Sequence, residues 1–228
     1  ISNRLIGDAN GLNNLQGVGM GEGWGDFHGL LVVVREEDSQ VPGNEDWQGV
    51  YALSTFVTTG SGGNGLYYGI RRLPYSTDFS KNALTFRHIQ NGVPLPPGVP
   101  TAFGASGNQN AEVHNTGEVW ATMLWECYAA LLRDGRLTFQ QAQDRMRQYL
   151  VAGYKGTPNS PTFLEARDAI LAAAWANDPE DYLLMSEAFA RRGAGHRAVA
   201  PGRYAQGNQG VVEDFTTGSQ LSFVGATL

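Results

Sequence analysis

Cysteine is almost absent from this 228-residue chain. Cys127 stands alone, which excludes an internal disulfide and a cysteine-built zinc site. Its apolar neighbours make it a core residue. Histidine is scarce too. His28, His88, His114 and His196 include no H-x-x-x-H pair, the spacing that sets two imidazoles on one helix face. Positive charge is short: 16 Lys and Arg face 22 Asp and Glu, a net charge of -6. Nothing in that balance calls for nucleic acid. No apolar run reaches the ~18 residues of a membrane span. The glycines at 60–65 are not followed by the Lys-Ser/Thr of a phosphate loop, and Gly-x-Ser-x-Gly is missing. Neither a phosphate cradle nor a hydrolase nucleophile elbow has support. No signal peptide is seen and the first residue is Ile1, so the chain is expected to begin inside a longer polypeptide.

Glycine and aromatic residues are plentiful instead, with 30 Gly and 11% aromatics. That combination reads as many turns on a globular body rather than disorder. One stretch gathers both: Gly21-Glu22-Gly23-Trp24-Gly25-Asp26-Phe27, followed by apolar residues from Leu30 to Val34. Glycine costs about 1 kcal/mol against alanine within a helix. Three of them beside an apolar helical run predict that something approaches the backbone closely. Glu22 and Asp26, four residues apart, share one helix face. Carboxylates among so much apolar sequence need a partner. A metal ion on Glu22, with Asp26 steadying a neighbouring ligand, is one answer. Two acids complementing the dipole of a helix N-terminus are the other.

Periodicity and caps set the order of elements. Residues 1–20 read as a polar loop leading into a helix from about Gly19 to Glu36. Residues 37–111 are irregular, with a glycine loop at 60–65 and an extended Pro94–Pro100 segment. Within them Arg71 and Arg72 stand among aromatics. They suit a carbonyl or carboxylate in a cleft, or a surface ion pair. Trp120, Leu124, Cys127 and Leu131 repeat at helical spacing in a run apolar nearly all round. A buried central helix that Gly135 ends is predicted. His114, at the loop-to-helix junction before it, can face a cleft or serve as a structural hydrogen-bonding residue. Capping boxes at Thr138–Gln141 and Thr162–Glu165 open two further helices, the first running to about Val151. Asp178 with Pro179 opens another, ending at Gly193. Residues 120–193 thus form a helical lobe. Beyond it, Val211–Phe215 and Leu221–Val224 read as short strands or an extended tail.

Ile1-Ser2-Asn3-Arg4-Leu5, then Gly19-Met20-Gly21-Glu22-Gly23-Trp24-Gly25-Asp26-Phe27, resembles the fungalysin family of secreted zinc metallopeptidases. In that family H-E-x-x-H-G stands directly before the first block. Three later blocks are similar and come in the family's order, across about residues 1–193. They are Gly69-Ile70-Arg71 with Pro74-Tyr75-Ser76-Thr77, Val113-His114 with Gly117-Glu118-Val119-Trp120-Ala121, and Pro161-Thr162-Phe163 with Ala166-Arg167-Asp168-Ala169-Ile170. The resemblance implies a mainly α fold, the C-terminal helical lobe of a thermolysin-like (gluzincin) catalytic domain, over residues 1–193. An irregular middle region belongs to it, and residues 194–228 make a short β-like tail or begin a further domain. The resemblance also implies zinc as cofactor, Glu22 as the third zinc ligand and Asp26 orienting a zinc-bound histidine. His114 would stabilise the tetrahedral oxyanion, and Arg71 would hold the substrate backbone near the primed pocket. The implied partners are a peptide or protein substrate and the missing N-terminal half of the domain; no nucleic acid and no membrane are expected. Secretion follows from the family.

The two histidine ligands and the general base of H-E-x-x-H are missing from these residues. The isolated chain is therefore expected neither to hold zinc tightly nor to cleave peptides by the family's zinc-activated water. Three readings compete: half of a zinc endopeptidase, a degenerate homologue that binds peptides, and a helical scaffold for assembly. The last leaves Gly21–Phe27 unexplained.

Overall fold

Asn14 begins the helix on which the fold turns: its side chain accepts the Gly17 amide at 3.0 Å, an N-cap. The computed structural model describes residues 1–58, 64–103 and 105–218. Its α-helices are α1 (Ser2–Leu5), α2 (Leu15–Val33), α3 (Thr55–Thr58), α4 (Gly65–Tyr68), α5 (Val113–Leu132), α6 (Phe139–Gly156), α7 (Phe163–Asn177) and α8 (Pro179–Arg191). Among the described residues there is no β-sheet. The isolated bridges Tyr51–Tyr75, Ala194–Asp214 and Val199–Val212 stand in its place.

The central helix predicted around Trp120 is α5. It is buried on every side from Thr116 to Ala129, and α2, α6 and α8 pack around it. Aromatic edges lock the packing: Trp24 meets Trp120 at 5.6 Å and Tyr154 at 5.2 Å, and Trp120 meets Phe163 at 5.1 Å. Such edge-to-face pairs add about 1 kcal/mol each beyond the area they bury. Cys127 is buried in this core. Both capping boxes and the Asp178 cap form as expected.

Several boundaries differ from expectation. α2 starts at Leu15 rather than Gly19, because the Asn14 cap and the packing on α5 outweigh the poor helix propensity of Gly17 and Gly19. α6 runs on past Val151 to Gly156, since Tyr154 is fully buried and Gly153 lies against Ile170. α5 stops at Leu132, three residues before Gly135. α8 stops at Arg191, and Gly193, at φ +81°, turns the chain two residues later. The Pro94–Pro100 segment is not extended throughout: Gly98 turns it at φ +83°. At Val211–Phe215, expected as a short strand or an extended tail, only two single-residue bridges form, and the Gly210 and Val211 amides bond to Gln90 Oε1; the segment before it is seated by side chains from elsewhere. Asn14 Nδ2 donates to Arg203 O at 2.9 Å, Gln16 Nε2 to Pro201 O at 3.2 Å, and Arg167 Nη1 to Gly195 O at 2.6 Å. Leu221–Val224 and most of the glycine loop, residues 60–63, lie outside the described residues.

The close approach announced by the glycines is that of α5. A Cβ on Gly23 would sit 2.3 Å from Gly117 O, and one on Gly19 would sit 2.4 Å from Thr116 Cγ2. Gly25, in contrast, faces open space. Gly23→Ala is therefore expected to cost about 2 kcal/mol through forced separation of the two backbones. Gly25→Ala should gain up to about 1 kcal/mol from helix propensity. Urea-denaturation midpoints of the two variants check this.

Candidate functional site

The crossing of α2 and α5 brings Glu22 and His114 together. Glu22 lies in the second turn of α2, and His114 in the first turn of α5. His114 Nε2 stands 3.4 Å from Glu22 Oε2, and both side chains are about half exposed, 52% and 41%. The other imidazole nitrogen is committed: Nδ1 lies 2.7 Å from Glu112 Oε1. Glu112 is also the N-cap of α5, its Oε2 accepting the amides of His114 at 3.0 Å and Asn115 at 3.1 Å. One carboxylate thus opens the helix and fixes the ring. Burial raises the Glu112 pKa, but the His114 ring and the two amides outweigh it, so it lies below the ordinary carboxylate value.

One turn along α2, Asp26 points into the protein. Arg71 grips it with both prongs of the guanidinium, Nε to Oδ2 at 2.6 Å and Nη2 to Oδ1 at 2.7 Å. Tyr75 adds a short hydrogen bond from its hydroxyl to Oδ2. Asp26, Arg71 and Tyr75 are all buried, at 7%, 9% and 1% exposure. Burial disfavours the guanidinium, but the Asp26 bonds and charge more than offset it and raise the Arg71 pKa. Burial and the Asp26 charge push the Tyr75 pKa well up, so its hydroxyl stays a donor. Arg71 Nη1 makes no hydrogen bond among the described residues.

A second buried pair stands behind the first. Arg72 Nε donates to Glu118 Oε2 at 2.7 Å, and Glu118 Oε1 accepts the Leu73 amide at 2.8 Å. This pair pins the 71–73 segment to α5 and so aims Arg71 at Asp26. The two acids of α2 do not sit at a helix N-terminus, because α2 begins at Leu15; the dipole reading fails there. Nor is the Arg71 pair on the surface. Arg71 and Arg72 both meet carboxylates, one of the contacts expected of them, whereas Glu112, Tyr75 and Glu118 were not expected as members of the site. Glu112 directly before the helical run was a readable signal, whereas Tyr75 and Glu118 carried none without knowledge of the long-range contacts.

Glu22 and His114 offer two convergent donors. No three His, Cys, Asp or Glu side chains among the described residues come together as a metal cage. The chemistry of Glu22, an accessible carboxylate beside an imidazole, fits a single ligand of a divalent metal whose other ligands come from elsewhere.

Residues 1–198 match the family described as fungalysin metallopeptidase (M36). This chain belongs to that family. The fungalysin assignment agrees with the mainly helical fold. The chain is 34% identical to extracellular metalloproteinase 10 of Coccidioides posadasii over 92% of its own length and 30% of that protein's. It is 32% identical to extracellular metalloproteinase MEP of Neosartorya fischeri, covering 91% of itself and 30% of the relative. It is 28% identical to extracellular metalloproteinase 2 of Trichophyton rubrum, covering 86% and 28%. The fungalysin chain thus spans about 30% of the length of the curated relatives it matches. No helix among its described residues is long and apolar enough to cross a membrane.

Proposed function

We propose that this chain is the helical part of the catalytic domain of a secreted zinc endopeptidase. The Glu22–His114 pair at the α2–α5 crossing carries the reading. It joins a carboxylate able to ligate metal with an imidazole facing the same open side. The names of the extracellular relatives support secretion, and peptides or proteins are the substrates. Zinc, when bound, polarises the scissile carbonyl and makes water nucleophilic at neutral pH.

The residues of this chain divide the remaining work. Glu22 supplies one ligand. His114, with Nδ1 held by Glu112, presents Nε2 to the charge that develops on the substrate carbonyl oxygen. Asp26 uses three of its roughly four acceptor positions on Arg71 and Tyr75. The fourth accepts from a ligand imidazole on the other half of the domain and fixes its tautomer. Arg71 keeps Nη1 for a substrate backbone carbonyl.

The remaining ligands and the general base come from outside this chain. The purified chain alone is therefore expected to lose zinc on dialysis against a weak chelator, and to cleave no peptide. Zinc retained stoichiometrically after dialysis would overturn this division of the site.

A further inference from the structure

α5 carries a second charged cleft near its other end. Glu126 lies twelve residues beyond His114, about 18 Å along the helix axis, and borders a cavity of about 470 Å³. Arg133 and Arg191 line it and converge on one residue. Arg133 Nη2 donates to Thr77 Oγ1 at 2.7 Å, and Arg191 Nη2 to Thr77 O at 3.0 Å. Nη1 of each makes no hydrogen bond among the described residues. Arg133 has no carboxylate partner among them either. Burial and the charge of Arg191 set its pKa below the ordinary guanidinium value, although Glu126 and Asp46 act the other way.

Glu126 lies 3.4 Å from Arg191 but is held at 2.6 Å by Arg192. Asp78 is paired with Lys81 at 3.2 Å. Arg133 and Arg191 are then opposed by Glu187 of the cavity wall, which has no cationic partner among the described residues, and by Asp46, whose backbone carbonyl accepts from Arg133 Nε at 2.6 Å and whose charge acts on Arg133. The rest of the wall includes Phe79 and Leu184. The Phe79 ring lies against both Arg191, at 5.0 Å, and Arg192, at 4.2 Å.

We infer that this cleft binds an organic monocarboxylate, the group on which a peptide ends, between Arg133 and Arg191. A planar carboxylate matches the guanidinium fork. The free Nη1 groups of the two guanidiniums are what the carboxylate would engage, and Glu187 in the wall repels a phosphate dianion more than a singly charged carboxylate. The apolar wall takes a short hydrocarbon body.

Calorimetric titration of the intact polypeptide that carries this chain tests the inference, with N-acetylleucine, N-acetylleucinamide and inorganic phosphate as probes. N-acetylleucine should bind, the neutral amide should not, and phosphate should bind more weakly. Arg133→Gln should weaken N-acetylleucine about tenfold, the loss of one charge-assisted hydrogen bond. Glu187→Gln, an exposed change that leaves folding intact, should tighten it. Equal binding of acid and amide, tighter binding of phosphate, or no change in Glu187→Gln would each overturn the assignment.

Discussion

Asp26→Ala is expected to destabilise the protein by about 3–5 kcal/mol, because it strands the buried Arg71 guanidinium without its partner. The two-pronged geometry at 2.6 and 2.7 Å and the burial of both side chains place this pair far from the ordinary surface ion pair, worth at most about 1 kcal/mol. Much of the cost is desolvation left uncompensated rather than attraction lost. The double variant Asp26→Ala with Arg71→Met should therefore recover a large share of the stability. Tyr75 would still lose its acceptor, so recovery should be incomplete. Urea titration of both single variants and the double closes the cycle. Additive losses would show that the pair is not coupled as the geometry implies.

His114→Ala, in the intact polypeptide that carries this chain, is expected to lower kcat about 10²–10³-fold with KM little changed. The imidazole faces the open side with one nitrogen and is anchored by the other to Glu112 at 2.7 Å, so it is ready to donate where charge develops. Glu112→Gln should cost about tenfold or more through loss of that orientation, while its amide oxygen still caps α5. A change confined to KM would assign His114 to ground-state binding instead. Circular dichroism separates either result from loss of the helix.

Local chemistry made much of this fold legible. The boxes at Thr138 and Thr162 and the Asp178-Pro179 start are written in neighbouring residues, and all three form. The α5 run announces its burial by being apolar all round. The start of α2 was not legible, because Gly17 argues against helix, and the first turn is held instead by the Asn14 cap on the Gly17 amide. The partner of Asp26 was hidden as well: Arg71 is 45 residues away, and nothing in the spacing links them. The tail, open between short strands and an extended segment, could not be decided for a related reason. Val211 and Val212 look like a strand, yet the hydrogen bonds that seat the preceding residues come from Asn14 and Gln16, far back in the chain. The glycines of the α2 stretch were legible as a demand for close approach. Only Gly23, however, meets the α5 backbone, while Gly25 meets nothing.

Glu22, presented at the α2–α5 crossing, is the metal ligand proposed above. The direct test is the zinc content of the intact polypeptide and of its Glu22→Gln variant after dialysis, read by atomic absorption beside a circular-dichroism check of the fold. The parent is expected to keep its zinc while the folded variant loses it. A folded Glu22→Gln variant that retains the parental zinc would rule Glu22 out as a ligand.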